Sequence, residues 1–173
     1  MNKKKIILFL LLSLLTFVIC ILCFSFIKYR HNIQVIKYFP TFSAWTIEGE
    51  ELTIDTWDKT SYTCLVFFSP ECSACKEKIR HIITLNYNNL RWLFLTPAPY
   101  EEVSLFIAEN GLYGTSNATT LLLDHPALLT HYRIRNLPAF FLYGPDGELI
   151  CRCKSGDSFE RFLNQVNKWC RKE

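Results

Sequence analysis

The sequence is poor in the residues that mark non-globular chains. Six glycines and seven prolines among 173 residues are too few for a collagen-like polymer. A hydrophobic share of 50% excludes a disordered chain. The chain also lacks internal repeats and low-complexity tracts. Its length is about that of one domain with a single core of ordinary size.

The body of the chain lacks an excess of positive charge. The net charge of +3 belongs to the N-terminal segment, residues 1–31, which holds five basic residues and no acidic one. Residues 32–173 carry 14 Lys and Arg against 16 Asp and Glu, which is a net charge of −2. Nucleic-acid binders present a basic stripe, so this balance argues against nucleic acid as a partner.

The N-terminal segment contains one long run without charge. Residues 6–27 are 22 uncharged residues, and as a helix they would be roughly 33 Å long, enough to cross a lipid bilayer. The run continues to Phe26-Ile27 instead of ending in the small residues of a cleavage site. Cys20 and Cys23 also lack the preceding small residue of a lipoprotein. We therefore predict an uncleaved membrane anchor over residues 1–31.

The charges that flank this run predict its orientation. Three lysines and the terminal amine precede it, and two basic residues follow it. Because positive charge accumulates on the cytoplasmic side, we expect the N-terminus in the cytoplasm. Residues 32–173 would then form a domain on the periplasmic or extracytoplasmic side of a single-pass cell (inner) membrane protein.

The hydrophobic pattern of the body predicts alternating strands and helices. A hairpin around Glu48-Gly49-Glu50 is expected first. The order that follows is βαβαβαββα, which implies an α/β fold with a mixed sheet and helices on both faces. The predicted strands are residues 64–68, 92–95, 121–123, 139–143 and 148–153.

The ends of the predicted helices have their own signals. Gly111 closes the second helix, and Asp124 is expected to cap the third, which runs over residues 126–132. Asp157 or Ser158 is expected to cap the last helix. The predicted apolar face of that helix consists of Phe159, Phe162, Leu163, Val166 and Trp169.

Two cysteines stand where a buried strand gives way to an amphipathic helix. Free N–H groups and the helix dipole at such a position lower the pKa of the first cysteine from about 8.5 toward 7 or below. Cys72 is therefore the candidate catalytic nucleophile. Cys75, one turn further on, would attack the mixed disulfide formed by Cys72 and release the substrate. A bare CxxC also occurs in zinc sites and by chance.

The other cysteines of the body offer a poor second half for a zinc site. Metal ribbons pair two CxxC knuckles, whereas Cys151 and Cys153 form only a CxC. We expect these two and Cys64 to be buried free thiols, and Cys170 to pack locally. The histidines are isolated from one another, so no metal ligand is named.

Two segments of the sequence resemble a known family. Val66 to Cys75, with the sequence VFFSPECSAC, is similar to the active-site strand and helix start of thioredoxin-like proteins. Residues 124–148, which include RIRNLPAFFL and PDGE, resemble the second half of membrane-anchored TlpA/ResA-type thiol-disulfide oxidoreductases. The resemblance covers residues 39–169 and implies a thioredoxin-like fold with a hairpin before the active site.

The resemblance implies a site and an activity. Pro138 would follow a cis peptide bond beside the dithiol, and Leu137 would offer its backbone to an incoming chain, so both are expected to bind substrate. The implied activity is disulfide exchange with cysteine-containing protein substrates, without a cofactor. A reducing role is implied, with electrons from a membrane donor and with the maturation of cytochromes c as its setting.

The sequence departs from the family pattern at three places. Ser73-Ala74 replaces the usual proline-containing dipeptide, Lys78 stands where some reductases have a buried glutamate, and Val66 stands where thioredoxins have a buried acid. Because the dipeptide helps to set thiolate stability, the redox potential does not transfer. Glu71 and Glu77 are expected to be solvated, so no general base is named.

Two other functions are open at this point. Ser69 and Cys72 are similar to the Thr-x-x-Cys of peroxiredoxins, which would make the protein a thiol peroxidase, although Leu65 stands where that fingerprint has proline. The second alternative is a non-catalytic chaperone that holds a metal or an apoprotein through its thiols. Peroxide consumption would identify the first, and failure to reduce a model disulfide would identify the second.

Overall fold

The computed structural model describes residues 11–25, 36–54, 60–85, 87–124 and 126–170. The chain divides into two units, Met1–Val35 and Ile36–Glu173. In the first unit, residues 11–25 are helical (α1). No helix among the described residues is long and apolar enough to cross a membrane. The remaining residues of the predicted span 6–27 and the predicted boundary at residue 31 lie outside the described residues.

The second unit holds seven strands and four helices within its described residues. The strands are β1 (Phe42–Thr46), β2 (Glu51–Ile54), β3 (Tyr62–Phe67), β4 (Leu90–Thr96), β5 (Ala118–Leu122), β6 (Ala139–Tyr143) and β7 (Leu149–Cys153). The helices are α2 (Ser73–Ile83), α3 (Tyr100–Asn110), α4 (Ala127–His131) and α5 (Phe159–Cys170). The predicted hairpin is β1 and β2, and the order from β3 onward is the predicted one.

The strands form one mixed sheet in the order β2-β1-β5-β4-β3-β6-β7. β3, β4 and β5 are parallel, whereas β6 runs antiparallel to β3 and β7 antiparallel to β6. Phe67 at the end of β3 pairs with Ala139 at the start of β6, and Phe140 pairs with Cys153 at the end of β7. One edge of the sheet, here called the carboxyl edge, therefore gathers the ends of β3, β4, β5 and β7 and the start of β6.

The two central strands are buried on both faces, as their continuous apolar runs predict. Because side chains alternate along a strand, Val66 and Phe140 point to one face, where they join a core with residues of α2, α3 and α5. On the other face, Tyr132, directly after α4, packs against Phe67 and Phe141 at centroid distances of 5.1 and 4.5 Å. The sheet is thus covered on both faces at the carboxyl edge.

Two predicted details of the helices are wrong. α4 has Pro126 at its N-cap and no side-chain cap hydrogen bond, because the helix begins at Ala127 and Asp124 stands too far before it. Trp169 is 39% exposed, whereas Cys170 is buried. Residues 162, 166 and 170 follow the i, i+4 spacing of one helix face, and this face meets the core.

The other helix ends follow the sequence signals. Gly111 ends α3 in a left-handed conformation, with φ 70°, which glycine adopts without steric cost. Ser158 caps α5, since its hydroxyl oxygen accepts a hydrogen bond from the Arg161 amide at 3.3 Å. Asp157 instead accepts a 2.8 Å hydrogen bond from the Lys154 amide.

Candidate functional site

Cys72 ends the loop that joins β3 to α2. The Phe68 amide donates to the Leu95 carbonyl at 3.1 Å, and the Cys72 amide then donates to the Ser69 carbonyl at 3.1 Å. Cys72 is the N-cap residue of α2, with φ −79° and ψ 107°. Cys72 therefore lies at the carboxyl edge of the sheet, where the buried strand β3 is followed by the first turn of α2.

A disulfide joins Cys72 to Cys75. Their Cα atoms are 5.1 Å apart. Cys75 has no exposed surface and belongs to the core, whereas Cys72 is half-buried. Of the two residues, Cys72 is the one that a molecule in solution can reach.

The first turn of α2 directs an N–H group toward the sulfur of Cys72. The Cys75 amide nitrogen lies 3.1 Å from Cys72 Sγ and 3.0 Å from the Cys72 carbonyl oxygen. The first turn contains no acidic side chain. Because an N–H donor and the positive end of the helix dipole both favour negative charge, this position stabilises a thiolate on Cys72 in the reduced protein.

The loop before β6 reaches the same sulfur from the other side. The Leu137–Pro138 peptide bond is cis. The carbonyl oxygen of Leu137 lies 3.8 Å from Cys72 Sγ, and Pro138 is buried. The structure therefore brings together the four residues that the sequence singles out, namely Cys72, Cys75, Leu137 and Pro138.

The described residues offer Cys75 no buried carboxylate as a proton acceptor. The buried polar side chains in the described part of the chain are Thr63, Thr96, Asn110 and Thr120. Val66 is fully buried and apolar, and Glu71 and Glu77 are exposed, as predicted.

The other four cysteines of the second unit are free thiols, as predicted for Cys64, Cys151 and Cys153. Cys64, Cys153 and Cys170 are buried, and Cys151 is partly buried. Burial raises the pKa of all four thiols, to about 12 for Cys151 and Cys170. Such thiols are protonated at neutral pH and react slowly. Across the described ranges, no group of three or more His, Cys, Asp or Glu side chains could hold a metal ion.

The sequence did not reveal the contacts that hold the loop before β6. The Lys154 ammonium donates to the carbonyls of Tyr132 at 2.8 Å and Arg133 at 3.3 Å. Arg133 has φ 52°, an uncommon value for a residue other than glycine. Neither feature has a sequence signal, because the lysine is 21 and 22 residues away from its partners and no glycine marks the positive φ.

Comparison with known proteins gives matches among solved structures. No protein-family model matches the sequence, and no curated protein matches it. The chain is similar to the thioredoxin domain of a thiol-disulfide oxidoreductase from Bacteroides vulgatus, with 18% identity and a TM-score of 0.61 over 76% of this chain and 97% of that one.

Two further solved structures are similar to the same extent. A thiol:disulfide interchange protein from Bacteroides sp. is 20% identical, with a TM-score of 0.63 over 78% of this chain and 89% of that one. A secreted disulfide oxidoreductase from Mycobacterium tuberculosis is 19% identical, with a TM-score of 0.60 over 74% of this chain and 96% of that one. The chain therefore has a thioredoxin-like fold, with its CxxC disulfide at the N-terminus of the helix that follows β3.

Proposed function

We propose that the protein is a thiol-disulfide oxidoreductase that exchanges disulfides with cysteine-containing protein substrates through Cys72 and Cys75. The observation that carries the proposal is the disulfide at the N-terminus of α2, with its half-buried sulfur 3.8 Å from the Leu137 carbonyl oxygen. The similar solved structures, which are described as thiol-disulfide oxidoreductases or an interchange protein, support it.

The first step begins from the reduced protein. The thiolate of Cys72, stabilised by the Cys75 amide, attacks one sulfur of a substrate disulfide. A mixed disulfide between Cys72 and the substrate forms, the substrate disulfide breaks, and one substrate thiolate leaves and takes a proton from solvent. Cys72 performs this step because Cys75 is fully buried.

The second step releases the substrate. Cys75 attacks Cys72 Sγ, so that the Cys72–Cys75 disulfide forms and the mixed disulfide breaks, and the proton of Cys75 passes to the departing substrate sulfur. The second substrate thiolate leaves and is protonated. Two electrons have passed from the dithiol to the substrate, and a second dithiol must return them by the same steps in reverse.

The substrate chain lies along the loop before β6 in this mechanism. Pro138 has no N–H group and therefore donates no backbone hydrogen bond to a neighbouring strand of the sheet. Arg135 and Asn136 are exposed and Leu137 is half-buried. The loop can therefore offer backbone groups to an extended segment next to the sulfur of Cys72, as in β-strand addition.

The membrane anchor, the direction of electron flow and the physiological setting are also part of the proposal. The uncharged run of residues 6–27 and its flanking charges support a single-pass protein with residues 32–173 on the extracytoplasmic side. The TlpA/ResA resemblance supports a reductant that draws electrons from a membrane donor, with the maturation of cytochromes c as its setting. Resistance to extraction from membranes by alkaline carbonate, and cleavage of the domain by external protease in spheroplasts, would test the anchor and its orientation.

The activity test uses the full chain, reduced and freed of excess reductant. We expect it to reduce a peptide disulfide and to lose that activity in Cys72→Ser and Cys75→Ser. Cys151→Ser is the matched control, since it removes a partly buried free thiol and should leave the rate unchanged. Failure to reduce the peptide, or peroxide consumption that depends on Cys72 in its place, would contradict the proposal.

A further inference from the structure

Four cations lie at the carboxyl edge of the sheet, the same edge that holds the dithiol. Arg133 and Arg135 belong to the loop before β6, and Arg152 and Lys154 lie at the end of β7; together they are called the basic surface here. The three arginines are exposed, and none forms a salt bridge with another described residue. Their guanidinium groups are therefore available to anions.

Two cations of the basic surface belong to the loop that approaches the reacting sulfur. Arg135 stands two residues before Leu137, whose carbonyl oxygen lies 3.8 Å from Cys72 Sγ. Lys154 ties the end of β7 to the same loop through its hydrogen bonds to the Tyr132 and Arg133 carbonyls, at 2.8 and 3.3 Å. A chain bound along this loop next to Cys72 would therefore run beside Arg135.

Among the described residues, the positive charges of the basic surface are only partly offset by an acidic side chain. Burial, Arg152 and Arg133 lower the pKa of the Lys154 ammonium, and Asp157 acts in the opposite direction. Asp157 is also engaged by the Lys154 amide at 2.8 Å. Because clustered like charges cost stability, an anionic partner that binds here would relieve a repulsion that the fold retains.

The rest of the domain has the opposite charge. Without the four cations of the basic surface, residues 32–173 carry 10 Lys and Arg against 16 Asp and Glu, a net charge of −6, so the body repels an acidic protein whereas the basic surface attracts it. Carboxylates pair with the forked donors of arginine, often through two parallel hydrogen bonds. The basic surface thus matches an acidic segment of a protein, oriented so that its disulfide meets Cys72.

We propose that the basic surface selects protein substrates that carry acidic residues next to the target disulfide. The inference rests on the proposed function, since it names a substrate class for the same dithiol. Arg133, Arg135 and Arg152 are its specificity-determining residues, and they act by steering and orienting the substrate before sulfur exchange.

The test compares three cyclic peptides that share one disulfide and differ only in the residues flanking each cysteine, which are Glu, Gln or Lys. The full chain is reduced, and kcat/KM is measured for each peptide. At about 10 mM ionic strength, where screening extends over about 30 Å, we expect the Glu peptide to be reduced roughly tenfold faster than the Gln peptide. The Lys peptide should be slower than the Gln peptide, and the preference should shrink as salt rises.

Charge-reversal variants locate the effect. Arg135→Glu and Arg152→Glu should each lower the ratio of Glu-peptide to Gln-peptide rates at least threefold, mainly through KM. Arg91→Glu is the matched control, because Arg91 is an exposed arginine paired with Thr63 at the opposite edge of the sheet. It should leave the ratio unchanged.

The outcomes separate this inference from the proposed function. If the Gln peptide is not reduced, the proposed function fails. If the Gln peptide is reduced but the Glu peptide is reduced no faster, the proposed substrate class is wrong and the proposed oxidoreductase activity is unaffected. The same conclusion follows if Arg91→Glu shifts the ratio of rates as much as Arg135→Glu. Binding of phosphatidylglycerol vesicles through the same arginines without any peptide preference would mark a lipid-binding face and would also overturn the inference.

Discussion

Reduced protein treated with iodoacetamide at about pH 8 is expected to lose the thiol of Cys72 long before those of Cys151 and Cys170. The reason is the fraction of each cysteine present as thiolate, which is the reactive form. Burial raises the pKa of Cys151 and Cys170 to about 12, so about one molecule in 10⁴ carries either thiolate at that pH. An ordinary cysteine with a pKa of about 8.5 is about one quarter ionised, and the N–H group beside Cys72 can only increase its share.

The thiolate fractions alone give a difference of about 2,000-fold. A more basic thiolate is intrinsically more nucleophilic, and over about 3.5 pKa units this recovers a factor of about 25 to 60. The net prediction is that Cys72 reacts roughly 30- to 80-fold faster, before any shielding by the buried position of Cys170 is counted. Shielding would add to the difference.

The assay follows alkylation of each cysteine by mass spectrometry after quenching at successive times. The same protein in concentrated urea is the control, because unfolding should bring all the cysteines to similar rates. Equal rates for Cys72 and Cys151 in the folded protein would refute the view that α2 activates one sulfur while the other thiols stay inert.

Three further predictions concern the fold that supports the site. Lys154→Met removes the two hydrogen bonds from the Lys154 ammonium and should lower the free energy of unfolding by about 2 kcal/mol. Lys154→Arg should recover part of that loss. An unchanged urea midpoint in Lys154→Met would argue against a stabilising role for these hydrogen bonds. Tyr143→Phe should lower the free energy of unfolding by about 2 kcal/mol, because it leaves the Tyr132 hydroxyl and the Ile36 carbonyl without a hydrogen-bond partner. Tyr132→Phe should lower it by about 1 kcal/mol, since only the hydrogen bond between the two tyrosines is lost. Equal losses for the two variants in urea unfolding would contradict the assigned hydrogen bonds. Because the pKa values of the four free thiols are raised in the folded state, that state binds more protons than the unfolded state above about pH 8.5. The free energy of unfolding should therefore be highest below that pH and should fall as the pH rises further, by up to about 1.4 kcal/mol per pH unit for each thiol. A free energy of unfolding that stays constant between about pH 9 and 11 would contradict this expectation.

The sequence predicts the central part of the fold and the site because local patterns determine both. The continuous apolar runs that end at Phe68 and at Tyr143 are typical of strands buried on both faces, and they form β3 and β6. The CxxC at the start of an amphipathic helix likewise places Cys72 at a helix N-terminus.

Other features depend on contacts between residues far apart in the chain. The positive φ of Arg133 and the hydrogen bonds from Lys154 have no local pattern, because they arise where the end of β7 meets the loop before β6. Trp169 was misplaced for a related reason. An apolar residue at the edge of the helical stripe can face either the core or solvent, and the packing of α5 buries Cys170 instead.

The most direct test of the account is to trap the intermediate on Cys72. The full chain with Cys75→Ser is mixed with a disulfide-bonded peptide and analysed under non-reducing conditions. We expect a one-to-one covalent adduct through Cys72, which is released by dithiothreitol and absent when Cys72→Ser is added to the same chain. Absence of the adduct in folded Cys75→Ser protein, or an adduct that forms through another cysteine, would contradict the assignment of Cys72 as the nucleophile.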